Sequence, residues 1–264
     1  MNDSSVPALR VAHITDIHLT CDPGEKLYDI ADTGLALEQT VRALRDIEPA
    51  PAIVIATGDI SEDGSAETYE RFKTIISALS VPVFTLAGNH DCAKTMRARL
   101  NDANCHYTTA TEFGGWRFIF VHSQVEGQSH GFVTDDEMLH LQTQLREDSH
   151  LPTIVALHHT PTAVCPSTGC QLHNAADFIE QLKQFPQVKA VLAGHTHLAR
   201  EFANGSLTEF TTPAVFAHVE HAQLGDPVDH EDFWDSHNLD GSKQGFRTLD
   251  LYPGGQIDTQ VHWV

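Results

Sequence analysis

Positive charge is scarce in this chain. Its Lys and Arg together number 16 against 36 Asp and Glu, for a formal net charge of -20. Such a surface field repels polyanions, so a nucleic-acid backbone is a poor partner. A small anionic substrate is compatible only with a locally positive site, which bound divalent cations can supply. Long apolar runs are also missing. No segment approaches the roughly 18 residues that span a bilayer, and Met1 to Pro7 has neither the basic start nor the apolar stretch of a signal peptide. No membrane association and a cytoplasmic location are therefore expected. Cysteine is sparse and odd in number, at 5, which agrees with free thiols in a reducing compartment. Cys165 and Cys170 are the one pair placed to form a local clip. With 264 residues, 41% hydrophobic content and no repeats or low-complexity tracts, the chain reads as one globular domain spanning 1–264. No heptad marks an oligomerisation seam.

What the chain does have is histidine, 18 in all, and much of it follows apolar runs. The central stretch is Gly88-Asn89-His90-Asp91, directly after the apolar run Val81 to Leu86. It brings an amide, an imidazole and a carboxylate to one loop. Taken alone it could be a polar turn, since Gly-Asn is ordinary turn chemistry.

Four further clusters share that placement. A first strand over Arg10 to Thr15 ends in Asp16-Ile17-His18, whose outer residues are two apart and project to one side. The unbroken apolar run Ala52 to Thr57 suits a parallel sheet covered on both faces, and it ends in Gly58-Asp59. Thr153 to Leu157 delivers His158-His159, and Val188 to Ala193 delivers Gly194-His195-Thr196-His197. Each cluster alone has a plain structural explanation as a turn, a cap or solvent histidines. Together they fall where open α/β sheets place their sites, outside the carboxyl ends of strands.

Between the strands, helical periodicity covers Leu35 to Ile47, Ser65 to Leu79, Ala93 to Leu100 and about Asn174 to Phe185. Thr134 followed by Glu137 reads as a capping box opening a helix through about Glu147. Thr20 to Thr33 is a long polar connection, long enough to fold over the site. Trp116 to Val121 is a further strand, and His122 after it has a packing or substrate-edge role. Leu207 to Thr212, Gly245 to Leu251 and Ile257 to Val264 alternate apolar and polar residues, with Gly254-Gly255 as a hairpin turn, and are expected as antiparallel strands completing a second sheet. Residues 225–241 are acidic and poor in aliphatics, as in a loop or flap.

The five clusters, in this order, resemble the calcineurin-like metallophosphoesterase superfamily. The resemblance implies an α/β fold of two mixed β-sheets packed face to face and flanked by helices, with a dimetal site at the C-terminal ends of strands. Protein Ser/Thr phosphatases of the superfamily follow the Gly-Asp pair with Asp-Arg-Gly, whereas Ile60-Ser61-Glu62-Asp63-Gly64 stands here. Purple acid phosphatases place a metal-bound tyrosine where Glu62 stands. The chain is more similar to the bacterial class III cyclic-nucleotide phosphodiesterases of the Icc or CpdA type. Outside the metal clusters, Leu172 to Ala175, Phe185 to Lys189 and Gly245 to Leu249 carry that likeness.

The likeness implies hydrolysis of 3′,5′-cyclic AMP to 5′-AMP by in-line attack of a metal-bridging hydroxide. It implies one metal on Asp16, His18 and His197, a second on Asn89, His158 and His195, and Asp59 bridging both. This donor set suits Fe, Mn or Zn better than Mg or Ca. Two dications, two carboxylates and one hydroxide leave about +1 at the site, enough to attract a phosphodiester to an acidic protein. His90 is the candidate for stabilising the phosphoryl group or protonating the leaving oxygen, with Asp91 orienting its ring. Asn89, His90, His159 and Asn174 are candidates for the substrate side, although structural hydrogen bonding is an equal explanation for His159 and Asn174. Alternatives are a broader phosphodiesterase for glycerophosphodiesters, 2′,3′-cyclic nucleotides or nucleotide-sugar diphosphates, and a non-catalytic scaffold of the same fold.

Overall fold

Two six-stranded sheets pack face to face, and helices cover the outer side of each. The computed structural model describes residues 7–162, 171–219 and 239–264. Cys165, Cys170 and residues 225–238 of the acidic segment lie outside the described residues. In chain order the elements are β1 (Leu9–Ile14), β2 (Lys26–Leu27), β3 (Ala31–Asp32), α1 (Thr33–Asp46), β4 (Ile53–Ala56), α2 (Ala66–Ile76), β5 (Val83–Thr85), α3 (Ala93–Arg99), β6 (Cys105–Tyr107), β7 (Ala110–Phe113) and β8 (Trp116–Phe120). They continue with α4 (Asp135–Glu147), β9 (Thr153–Ala156), α5 (Ala175–Leu182), β10 (Val188–Ala193), β11 (Arg200–Asn204), β12 (Leu207–Thr211), β13 (His218–Val219), β14 (Leu239–Asp240), β15 (Gly245–Leu251) and β16 (Ile257–Trp263).

The first sheet has the order β16-β15-β1-β4-β5-β6 and the second β11-β12-β10-β9-β8-β7. In each, a parallel centre carries antiparallel strands at an edge: β15 and β16 in the first, β11 and β7 in the second. This corrects the expectation that the C-terminal strands complete one second sheet. The β15–β16 hairpin, turning at Gly255 with φ +88, extends the first sheet, while β12 joins the second, parallel to β10. Alternation shows which residues face which layer, but not which sheet edge receives a strand.

Strand residues sort by parity. On β1, Leu9 and Val11 pack in the inter-sheet layer with Ile53, Ile55, Phe118 and Phe210, while Ala12 and Ile14 pack under α1 and α2 with Leu37, Tyr69 and Phe72. His13 falls on the inter-sheet side and is fully buried. Its ring bonds the hydroxyls of Thr57 at 2.7 Å and Thr212 at 2.6 Å, tying the two sheets together beneath the strand ends. Burial pushes the His13 imidazole down to about 3, so it is neutral.

The helices begin where the side-chain oxygens permit. Asp32, Ser65 and Thr134 accept N–H bonds from Leu35, Thr68 and Glu137. The expected capping box is half formed. Glu137 gives its carboxylate to the His122 backbone N–H at 2.8 Å, fixing α4 to the end of β8. The His122 ring stacks on Tyr107 at 5.3 Å, a packing role. No helix among the described residues is long and apolar enough to cross a membrane.

Candidate metal centre

Five loops leave the C-terminal ends of β1, β4, β5, β9 and β10, and all five converge on one cavity. The first two loops are bonded to each other, since Asp16 N–H donates to Gly58 O and Ile17 and His18 N–H to Asp59 O. Asp16, His18, Asp59, His195 and His197 all have positive φ, between 48° and 69°. Such backbone is uncommon outside glycine, and its clustering here marks loops shaped to aim side chains. Gly88 is needed for the approach of the Asn89 loop, because a Cβ there would collide with the Asp59 carboxylate.

The arrangement of the side chains suits cations. Asp16, His18 and His197 bring ligating atoms within 4.8 Å of one another, as do Asp16, Asp59 and His158. Asn89 Oδ1 lies 3.0 Å and Asp59 Oδ2 3.2 Å from His158 Nε2. His158, His195 and His159 form a third such group. Each of three imidazoles has its Nδ1 pinned: His158 to Thr57 O at 2.7 Å, His197 to Ala217 O at 2.9 Å and His18 to Glu62 Oε2 at 2.7 Å. A pinned Nδ1–H leaves the Nε2 lone pair as the donor. His18 Nε2 is buried and makes no hydrogen bond. Asp16 accepts the His195 backbone N–H at 2.9 and 3.0 Å, which joins the first and last loops.

No Lys or Arg is among the described residues lining the cavity, so imidazoles are the cationic partners it offers the buried carboxylates. Burial raises the Asp16 carboxyl to about 6. At Asp59 burial acts in the same sense, but His158, His18 and His90 outweigh it and hold the group well below the usual range. Burial and the neighbouring His158 push His195 down to about 3. The mixed oxygen and nitrogen donors, the pinned imidazoles and the unbonded His18 Nε2 fit a pair of divalent ions.

His90 is half-exposed at the cavity wall. Its backbone N–H donates to Asp59 Oδ1 at 2.9 Å, and its Nδ1 lies 3.2 Å from Glu62 Oε2. Burial would lower this imidazole, but Glu62 and Asp59 together raise it to about 9.

Three expectations are corrected here. Asp91 does not orient the His90 ring. Its two oxygens accept from the N–H groups of Ile60, Ser61 and Gly88 and from the Tyr69 hydroxyl, so it is the pin that shapes the loop. Glu62 takes the role at His90, a residue singled out in the sequence only as a departure from another family's tyrosine. Asn174 is not at the cavity, since its amide spans Val133 through N–H and C=O bonds of 3.0 and 2.7 Å. His159 is fully buried behind His158 and His195, with Nδ1 2.8 Å from Ser123 Oγ. The Ser123 hydroxyl occupies His159 Nδ1, and the ring is not among the described residues that line the cavity.

Residues 9–199 match the family model of the calcineurin-like phosphoesterases. The chain belongs to that family. This calcineurin-like phosphoesterase is 30% identical over 262 residues to a 3′,5′-cyclic-nucleotide phosphodiesterase of Nostoc sp., covering 97% of this chain and 92% of that one. It is 28% identical to the 3′,5′-cyclic adenosine monophosphate phosphodiesterase CpdA of Escherichia coli, covering 96% and 89%. A crystal structure of a dimetal phosphatase from Danio rerio shares the fold, with a TM-score of 0.68 at 17% identity and 93% of each chain covered.

Four residues that the sequence does not single out also line the cavity: Tyr28, Ser129, Phe216 and Leu239. Tyr28 stands in the long polar connection expected to fold over the site. Phe216 lies in an apolar run with no polar cluster to mark it.

Proposed function

We propose that this phosphoesterase hydrolyses 3′,5′-cyclic AMP to 5′-AMP with two divalent metal ions. Asp16, His18 and His197 would hold one ion and Asn89, His158 and His195 the other, with Asp59 available to both. The convergence of these donors at a cavity whose described lining holds no Lys or Arg carries the reading. The names of the Nostoc and Escherichia coli relatives support the substrate.

Bound at these donors, such metals would supply Lewis acidity toward phosphoryl oxygens and would lower the pKa of a bound water. The chain supplies the rest. Thr57 O, Ala217 O and Glu62 fix the histidine tautomers, so each Nε2 is aimed before substrate arrives. Glu62 Oε2 lies against His90 Nδ1 and orients that ring, so that its Nε2–H would stabilise the phosphoryl group or protonate the departing 3′-oxygen. Phe216 and Leu239 give the cavity an apolar wall that limits bulk water.

Steady-state hydrolysis of 3′,5′-cyclic AMP by Mn- or Fe-loaded protein tests this, with 2′,3′-cyclic AMP and an aryl phosphodiester run alongside. Efficient release of 5′-AMP is expected. Negligible turnover of 3′,5′-cyclic AMP, with good cleavage of the aryl diester, would keep a phosphodiesterase and discard the cyclic-AMP assignment.

A further inference from the structure

The cavity above the metal donors is divided by chemistry. Its floor is His18, Asp59, Asn89, His90, His195 and His197, while Tyr28, Phe216 and Leu239 make an apolar side. The volume is about 270 Å³, which suits one small molecule rather than a polymer.

Tyr28 reaches this site at a conformational cost. It sits at the tip of the β2–β3 hairpin, where Ile30 N–H donates to Leu27 O, and both Tyr28 and Asp29 lie in the left-handed region, with φ 52° and 60°. That backbone normally goes to Asn or Gly, and for a bulky side chain it is a strained outlier. The hydroxyl of Tyr28 donates to Glu62 Oε1 at 2.7 Å, while the side chain stays exposed at 58% relative area. Strain held at an exposed aromatic residue, and secured from inside the site, is a positioning arrangement. A core tyrosine would be buried.

Phe216 is placed by the opposite route. It is buried, and its backbone N–H donates to Asp16 O at 3.0 Å, which locks it to the first metal loop. Its ring lies 5.6 Å from His18, 6.3 Å from His197 and 6.3 Å from Tyr28. Tilted and edge-to-face ring contacts thus run from the metal donors to the cavity mouth, with Phe216 the buried backing and Tyr28 the exposed ring.

We propose that Tyr28 and Phe216 form the subsite for the base of a mononucleotide phosphodiester, so that this site selects substrates carrying a planar aromatic group beside the phosphate. The inference builds on the phosphodiesterase reading and adds the residues that choose among phosphodiesters. Tyr28 links the two ends of the substrate, since its ring meets the base and its hydroxyl holds the carboxylate that orients His90.

The test is a binding measurement on Mn-loaded protein, by calorimetry, with 5′-AMP and ribose 5-phosphate, which differ only in the base. The wild type should bind 5′-AMP about 10-fold more tightly, because stacking of a base on an aromatic ring is worth roughly that or more. Tyr28→Ala should bring the ratio close to unity, and the exposure of Tyr28 leaves its folding unaffected. Tyr28→Phe should keep the ratio, since it keeps the ring. Phe216→Leu should lower it while filling most of the buried volume. Equal affinities in the wild type, absence of binding of either ligand, or an unchanged ratio in both Tyr28→Ala and Phe216→Leu would overturn the proposal. Failure of the catalytic reading is seen separately, as a wild type that prefers 5′-AMP yet cleaves no phosphodiester.

Discussion

Glu62 Oε2 lies 3.2 Å from Nδ1 of His90, and this contact supports the imidazole that, among the described residues lining the cavity, is not assigned to a metal. The same oxygen also meets His18 Nδ1 at 2.7 Å, so one carboxylate sets a proposed metal ligand and a proposed catalytic group together. Glu62→Gln should lower kcat by about 10- to 100-fold, the usual effect of removing a partner that orients a ligating histidine. Metal content should fall less than activity. A variant with unchanged kcat would remove Glu62 from the mechanism.

His90→Ala keeps every proposed metal donor and removes the proton donor. Turnover should fall by about 10²- to 10⁴-fold with both metals retained on elemental analysis. Near-full activity would show that the leaving oxygen needs no help from this ring.

Asp59 stands between the two donor groups, 3.2 Å from His158 Nε2 and 3.6 Å from His18 Nε2. Asp59→Asn should abolish activity and leave fewer than two metals per chain. An active variant with both metals bound would exclude Asp59 as the bridge.

His13 gives a prediction in stability rather than rate. Its imidazole has an ordinary value of 6.5 when exposed and about 3 in the fold, because burial disfavours its charge. Between those limits the unfolded chain binds the additional proton, so stability from this residue is complete above pH 6.5 and is lost as pH falls toward 3. The loss approaches about 1.4 kcal/mol per pH unit for one full proton. His13→Gln should be less stable at pH 7.5 and lose less on acidification to pH 4.5. Denaturant midpoints at equal metal loading would read this. A parallel pH dependence in both proteins would place the acid sensitivity elsewhere.

The five polar clusters are legible in the sequence because each follows an apolar run, and the parallel strands β1, β4 and β5 of one sheet and β9 and β10 of the other bring their C-terminal ends to one site. The elements follow suit: the runs ending at Thr15, Thr57 and Ala193 are strands, and Asp32, Ser65 and Thr134 cap helices. Asp91 is a candidate in the sequence because it adjoins His90, and Asn174 because it lies in the stretch Leu172 to Ala175 that carries the family likeness. The fold turned each toward backbone N–H and C=O groups that would otherwise be buried unpaired. Glu62 was visible as a residue type but not as a contact, since its partners His18 and His90 come from two other loops.

The sequence by itself determined the layers, the positions of the site loops and the chemical character of the centre, because alternation and apolar runs specify which residues leave water and which loops carry ligating atoms. The tertiary structure alone decided which nitrogen of each histidine faces the cavity, which carboxylate holds His90, and that Tyr28 and Phe216 close the site. Those choices depend on the distances and backbone angles between loops far apart in the chain, and local pattern contains no record of them.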